Sequence, residues 1–385
     1  MRLIPLFALL LLCTFALRAE EQRVAAVDVK PEKPRVEVVF VLDTTGSMGG
    51  LIQAAKTKIW SIANTLATAK PSPDIKMGLV GYRDRGDAYI TKVTDLSRDL
   101  DAVYRELMGF QAAGGGDEPE SVNQALNDAI TRIAWSKDSK VYRVIFLVGD
   151  APPHMDYADD VKYPETCKLA ATAGIIINTI QCGSAVSTQT VWKDIAAKAE
   201  GHFFQVEQEG SAVMVSTPYD AKLAALAQDL DGTRISYGSA DEKKAQAMRE
   251  DGAKVIYKSA PASAQASRAA FQGSAAGEQN FAGTKELVKD VSANGVKLDA
   301  LKAEELPAEM QKLDPEDRAK YVEEKKAKRE AIQKEIVEVN AKRQQFLAEE
   351  AKKQEGKGKS TLEKNVTDTI NKQGEKLGIK CETSF

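Results

Sequence analysis

The sequence predicts a doubly wound, mostly parallel α/β sheet followed by an extended α-helical C-terminal region. Two patterns between residues 35 and 210 predict the sheet. Short apolar runs, typical of strands buried on both faces, alternate with segments whose apolar residues recur at helical spacing. A third pattern predicts the helical region, because residues 315–353 are dominated by Glu, Lys, Ala and Arg.

The predicted strands and helices follow one another in regular alternation. The strands cover 36–42, 75–82, 90–96, 144–148, 175–180 and 202–206. The helices lie near 51–66, 99–110, 118–135, 164–173 and 192–199. Because parallel strands need long, usually helical, crossovers, we expect helices on both faces of one sheet.

The segment after residue 212 has a different character. A short helix is expected near 223–230, and residues 238–285, rich in Ala, Ser, Gln and Gly, predict loosely packed helix and coil. Residues 315–353 predict one long helix, and 361–374 a last amphipathic one. The long helix is either a solvated helix laid on the domain or a coiled coil. Arg343 falls on the apolar seam and favours the first. The apolar positions available for packing on the domain are Tyr321, Val322, Ile332, Ile336, Val339 and Phe346.

The amino terminus has the pattern of a secretory signal. Arg2 precedes a short apolar run, and Ala19 offers a small residue for cleavage. The run is shorter than the roughly 20 residues of a membrane anchor, and Leu12 before Cys13 disfavours a lipoprotein. The protein is therefore expected to be exported, to the periplasm, the cell surface or the medium, with no transmembrane segment after cleavage. We divide the chain into a signal peptide (1–19), a linker (20–34), an α/β domain (35–212), a helical or irregular linker region (213–300) and a charged helical C-terminal region (301–385).

Charge and cysteine content narrow the classes of partner and site. The net charge of −3 gives no basic surface for nucleic acid. Two histidines and the absence of Cys-x-x-Cys disfavour a zinc site of the usual Cys/His kind. Cys167 and Cys182 are a disulfide candidate, because helix starts and strand ends share one rim of such a sheet. The alternative is two separately buried thiols.

The strand that ends at Asp43 carries the most informative motif. Asp43, Thr45 and Ser47 alternate at its carboxyl end, where ligands of open parallel sheets bind, and Asp150 ends a second buried strand. Carboxylates and hydroxyls without nitrogen or sulfur ligands suit Mg²⁺, with Mn²⁺ or Ca²⁺ as alternatives. These four side chains do not fill a coordination shell, so water or a ligand carboxylate would complete it.

Residues 43–47, Asp-Thr-Thr-Gly-Ser, resemble the D-x-S/T-x-S signature of von Willebrand factor type A domains, known there as the metal-ion-dependent adhesion site (MIDAS). The resemblance covers about residues 34–210, and Asp150 matches the family's Asp after the fourth strand. It implies a Rossmann-like sheet with one antiparallel edge strand. It also implies that the metal binds a protein ligand, through an acidic side chain of the partner.

The chain departs from the family in the loop at 114–120, which has no Thr to match the family's metal-binding Thr. Asp117 is the predicted substitute, and its alternative role is to cap the following helix. A third carboxylate would neutralise the ion further and weaken its attraction for an acidic ligand. This loop and residues 150–154 look like an exported bacterial branch of the family. The nearby His154 reads either as a partner of a metal ligand or, more simply, as an exposed loop histidine.

These features predict an exported, non-enzymatic module that binds a protein ligand through a MIDAS-type Mg²⁺ site, for adhesion or as a scaffold. One alternative is a cell-envelope assembly or chaperone factor that works through its helical tail. A metal-dependent hydrolase is less favoured, because the sequence shows neither a general base nor a second metal cluster.

Overall fold

The structure is a computed structural model and describes residues 33–67, 69–208, 215–293, 295–354 and 362–380. The predicted signal peptide and nearly all of the linker at 20–34 lie outside the described residues. Among the described residues, no helix combines the length and apolar character needed to cross a membrane.

The centre of the fold is a six-stranded sheet with the order β3-β2-β1-β4-β5-β6. All pairings are parallel except that of β2 with β3, which is antiparallel at one edge. The predicted mostly parallel α/β fold is therefore confirmed, and the edge strand runs in the antiparallel direction that the resemblance implied. The strands are β1 (Arg35–Asp43), β2 (Asp74–Tyr82), β3 (Thr91–Ser97), β4 (Val141–Gly149), β5 (Ile176–Cys182) and β6 (Phe203–Val206).

Helices flank the sheet and build the C-terminal region. Those within the α/β domain are α1 (Gly49–Ala67), α2 (Leu100–Gly109), α3 (Val122–Thr131), α4 (Tyr163–Thr172) and α5 (Val186–Lys198). Those that follow are α6 (Asp220–Asp231), α7 (Ala240–Ser259), α8 (Ala262–Gln272), α9 (Glu278–Ala282), α10 (Leu287–Ser292), α11 (Ala308–Gln311), α12 (Pro315–Gln354) and α13 (Leu362–Gly374).

The alternating side chains of β1 enter two separate cores. Phe40 and Leu42 face the core shared with α1 and α2, and the ring of Phe40 stacks on Phe146 of β4 at 5.6 Å. Val39 and Val41 face the opposite core, which α3, α4 and α5 cover. Both faces of β1 are thus buried, which is why its sequence is almost uninterrupted in apolar residues.

The region after residue 215 packs tightly on the α1 side of the domain, and the expectation of loose packing at 238–285 is wrong. Ala264, Ala266 and Ala269 of α8 are fully buried, and α8 packs on both α1 and α6. Small side chains allow close approach of helices, so a segment poor in large apolar residues still forms a dense interface.

The long helix α12 lies on α6 and α8 of the same chain, as the first of its two interpretations predicts. Ile332 and Ile336 are buried there. The seam residue Arg343 is buried as well, and its Nε donates to Asp220 Oδ1 at 2.7 Å. α13 packs on α1 and places Val366 and Ile370 in the core of that side.

The structure corrects the expected Cys167–Cys182 bridge, because both thiols are free and buried. Cys182 belongs to the core on the α1 side, whereas Cys167 belongs to the core under α3, α4 and α5. The helix start and the strand end lie near the same edge of the sheet, but the two side chains pack on opposite faces of it.

Candidate metal centre

The motif at the end of β1 forms a compact polar cluster. Asp43 is fully buried, and its Oδ1 accepts hydrogen bonds from the Thr45 amide at 2.8 Å and from Thr45 Oγ1 at 2.6 Å. Thr45 Oγ1 lies 3.4 Å from Ser47 Oγ, and Ser47 is exposed. The other carboxylate oxygen of Asp43, Oδ2, is buried without a hydrogen-bond partner. The three predicted residues therefore lie together, between the protein interior and solvent.

Asp150 follows β4, the parallel neighbour of β1, and lies on the same rim of the sheet. Its Oδ2 accepts a hydrogen bond from Gln208 Nε2 at 2.5 Å, and its backbone oxygen accepts one from Thr188 Oγ1 at 2.8 Å. Gln208 also reaches the backbone oxygen of Ser47, at 3.4 Å. No sequence motif identifies Gln208, which follows β6, far along the chain from the motif at the end of β1.

Glu120 is the site residue that sequence reasoning missed. It is 4% exposed, and its Oε2 has no hydrogen-bond partner. A Cβ placed on Gly115 would lie 3.0 Å from Glu120 Oε1 and 3.1 Å from Thr45 Cβ, so Glu120 and Thr45 flank the same glycine. Gly114 and Gly115 have φ values of 79° and 75°, which glycine adopts without strain. This turn brings the loop, and Glu120 with it, against the motif.

The acidic side chains of this cluster repel one another, which helps to raise the pKa values of Asp43 and Glu120. Burial, helped by the negative charge of Asp150, raises the pKa of Asp43 to about 7 in spite of the opposing hydrogen bonds from Thr45. Burial also raises the pKa of Glu120 to about 9, with added repulsion from Asp43, Asp84, Asp87 and Asp150. Within the described parts of the chain, no lysine or arginine forms an ion pair with Asp43, Glu120 or Asp150.

These residues fit a hard divalent cation. Asp43 and Glu120 each have a buried carboxylate oxygen with no hydrogen-bond partner in the protein, which a cation would complete. The hydroxyls of Thr45 and Ser47 and the carboxylate of Asp150 add further oxygen donors, the class that Mg²⁺ and Ca²⁺ select. A cation would also offset the charge that now raises the pKa of Asp43.

Asp117 lies in a cluster with Asp84 and His154. It is exposed, and one of its oxygens lies within 4.8 Å of ligand atoms of both Asp84 and His154. Among the described Asp, Glu, His and Cys side chains, this is the group that places three such atoms so close together. The alternative role of Asp117, as the cap of a helix starting near 118, is wrong, because α3 begins at Val122 with Ser121 at its N-cap position.

His154 is 5% exposed, so its interpretation as an exposed loop histidine is also wrong. Its ring stacks on Tyr157 at 4.0 Å between centroids. The backbone explains the burial, because the His154 amide donates to the Glu120 carbonyl at 3.0 Å and the Glu120 amide donates to the Pro152 carbonyl at 2.9 Å. The loop after β4 is thereby fastened to the loop before α3.

Comparison with protein families agrees with this architecture. The family model described as von Willebrand factor A domain matches residues 37–208. These residues form a von Willebrand factor A (VWA) domain. The match ends at residue 208, shortly after β6, so the helices from α6 onward are additional to the VWA domain.

The similar proteins share the domain and differ elsewhere. The von Willebrand factor A domain-containing protein 7 of Rattus norvegicus is 34% identical over 120 residues, which are 31% of this chain and 12% of that protein. The alpha-protein kinase vwkA of Dictyostelium discoideum is 32% identical over 120 residues, or 19% of its length. Each alignment therefore spans less than a fifth of the curated relative.

Among solved structures, proximal thread matrix protein 1 from the mussel byssus, with a zinc-occupied MIDAS motif, has a TM-score of 0.36 and 17% identity. The likeness covers 45% of this chain and 42% of that chain.

Proposed function

We propose that this protein is an exported module that binds a protein ligand through a Mg²⁺-class ion held by its VWA domain, for adhesion or as a scaffold. The observation that carries the proposal is the pair of buried, unpartnered carboxylate oxygens of Asp43 and Glu120 at the carboxyl edge of the sheet. VWA domains commonly mediate protein–protein interactions, and ligands of open α/β sheets bind at this edge. Export rests on the signal-like pattern of residues 1–19.

We assign the ion to Asp43, Thr45, Ser47 and Asp150, with Glu120 rather than Asp117 as the third carboxylate. Glu120 is the acid that lies across Gly115 from Thr45. When bound, a divalent ion would supply a Lewis-acidic position for an oxygen atom of the partner. Three carboxylates offset more than the ion's two positive charges, so the attraction for an acidic side chain is weaker than at a two-carboxylate site.

Calorimetric titration of Mg²⁺ tests the site. The mature protein is expected to bind Mg²⁺, and both Asp43→Ala and Glu120→Gln are expected to bind it at least about tenfold more weakly. Asp251→Ala serves as the matched control, because Asp251 is an exposed acid on α7 that pairs with Lys254. Mg²⁺ affinity that is equal in wild type and Asp43→Ala would refute the assignment.

Two further measurements test ligand binding and export. Affinity capture of a protein partner in Mg²⁺ should be lost in EDTA and in Asp43→Ala, while Asp251→Ala retains it. Mass spectrometry of the protein recovered outside the cytoplasm should give Glu20 as the first residue. Capture that is unaffected by EDTA, or a protein that keeps Met1 inside the cell, would contradict the corresponding part of the proposal.

A further inference from the structure

We infer that Asp84, Asp117 and His154 form a second divalent-cation site, selective for a transition metal of the Zn²⁺ class over Mg²⁺. The ligand atoms of these three residues lie within 4.8 Å of one another. The site shares no ligand with the Asp43 centre, and the inference does not depend on the function proposed above.

The sheet topology assembles this site from three loops. Asp84 follows β2, Asp117 precedes α3, and His154 follows β4. Asp84 and His154 are 4% and 5% exposed, whereas Asp117 is exposed. Two of the three ligands are therefore buried in the protein and the third faces solvent, from which an ion can enter.

His154 presents a free ring nitrogen to the cluster. Its Nε2 is buried, has no hydrogen-bond partner and lies 3.4 Å from Asp84 Oδ2. Its other nitrogen, Nδ1, lies 2.8 Å from Asp156 Oδ1. A carboxylate at Nδ1 keeps the proton on that nitrogen, so Nε2 retains the lone pair that binds a metal. This carboxylate–histidine arrangement is the one that commonly orients metal-binding imidazoles in proteins.

Asp84 is also held in place by neighbours. Ser121 Oγ donates to its Oδ1 at 2.7 Å, and the Tyr157 hydroxyl donates to its Oδ2 at 2.9 Å. Tyr157 also stacks on the His154 ring, so one side chain positions both buried ligands. Each carboxylate oxygen still has a lone pair available, because it accepts a single hydrogen bond from these donors.

The ligand set determines the class of metal. Imidazole nitrogen with carboxylate oxygen suits Zn²⁺ and its first-row neighbours, whereas Mg²⁺ and Ca²⁺ prefer oxygen alone. The competing arrangement is a protonated imidazole that bridges Asp84 and Asp156 with no metal. In that case Nε2 would donate to Asp84, and the 3.4 Å separation is longer than a normal hydrogen bond of this type.

The two histidines of the chain provide the test. NMR spectra of the mature protein with labelled histidine report His154 and His202 separately, and both are followed while Zn²⁺ is added in the presence of saturating Mg²⁺. The His154 signals are expected to shift and to saturate at one Zn²⁺ per chain. His154→Gln identifies the His154 signals by their loss, and the Zn²⁺-dependent shift should be unchanged in His202→Gln, the matched control.

A variant at the exposed ligand keeps the test informative if His154→Gln does not fold. Asp117→Asn should weaken the Zn²⁺ affinity read from the His154 signals by at least about tenfold, with Mg²⁺ binding unchanged. Asp43→Ala should lose Mg²⁺ binding and keep the Zn²⁺ response, which separates this inference from the proposed function. Zn²⁺ that leaves the His154 signals unmoved, or moves those of His202 equally, would overturn the inference.

Discussion

Buried acids occur in two regions of this molecule, and their partners differ completely. At the interface between the VWA domain and the later helices, Asp101 accepts from Arg268 Nε and Nη2, both at 2.6 Å. Within the later helical region, Glu286 likewise accepts two hydrogen bonds from Arg329, at 2.8 and 2.9 Å. At the carboxyl edge of the sheet, Asp43 and Glu120 are equally buried and have no arginine or lysine partner among the described residues.

The opposite directions of two pKa shifts express this difference. Burial alone would raise the pKa of Asp101, but the charge and hydrogen bonds of Arg268 lower it below the ordinary value. Asp43 has no such cation, and burial raises its pKa to about 7. A buried acid with its own arginine joins parts of the fold, whereas a buried acid left without one retains binding capacity for a cation from solution.

The largest expected effect is at the interface. Arg268→Met removes the fully buried guanidinium and leaves Asp101 without its arginine partner, whereas Asp231 keeps its ion pair with Arg234. Breaking a buried ion pair in this way typically costs about 3–5 kcal/mol in the free energy of unfolding, which urea denaturation measures. Lys254→Met, at the exposed pair with Asp251, is the control and should leave the midpoint unchanged. Equal midpoints for Arg268→Met and wild type would mean that the pair does not fasten the C-terminal helices.

A smaller change of opposite sign is expected at the sheet edge. In EDTA at pH 8, Asp43→Asn should stabilise the protein by about 2 kcal/mol, because it removes a buried charge at the cost of an imperfectly paired amide. The same variant should lose the stabilisation that Mg²⁺ gives to wild type. Urea denaturation with and without Mg²⁺ measures both effects. A variant that is less stable than wild type in EDTA would show that the Asp43 charge is already compensated.

The pH dependence of stability should separate the two regions, with a slope of at most about 1.4 kcal/mol per pH unit for each group. In EDTA, the folded protein binds a proton at Asp43 more tightly than the unfolded chain does. The contribution of Asp43 to the free energy of unfolding therefore falls as the pH rises from about 4 to 7. The folded-state pKa of Asp101 is lowered. Its contribution to the free energy of unfolding is therefore complete above about pH 4 and is lost as the pH falls further. Urea midpoints between pH 3 and 8 are the measurement.

In that series, Asp43→Asn should reduce the decline between about pH 4 and 7, and should leave in place the acid limb and the decline that Glu120 contributes through its raised pKa of about 9. A profile for Asp43→Asn that retains the full decline between pH 5 and 7 would assign that decline to other groups.

Local pattern was sufficient for most of the sheet. The run at 36–42 predicts β1, observed as Arg35–Asp43, because a strand buried on both faces must be apolar throughout. The helix expected at 118–135 is shorter, Val122–Thr131, since residues 114–121 are used in the loop that carries Glu120. Helical periodicity does not indicate where such a loop ends.

The sequence could not show which of two neighbouring acidic residues lies beside the motif. Asp117 and Glu120 are three residues apart in one polar loop, and composition gives no reason to prefer either. The turn at Gly114 and Gly115 and the backbone bonds to Pro152 and His154 decide which acid faces Thr45 and which faces His154. Those bonds join segments far apart in the chain, so no local pattern reports them.

The sequence by itself determined the order of strands and helices, the oxygen-rich motif at the end of β1 and its family resemblance. These depend on periodicity and on residues adjacent in the chain. Only the tertiary structure decided that Glu120 approaches the motif, that His154 is buried beside Asp84, and that the two thiols enter opposite faces. It also decided that α8, with few large side chains, is fully packed. Each of these outcomes depends on which surfaces meet across the sheet and its rim, and burial of that kind is a property of the assembled layers.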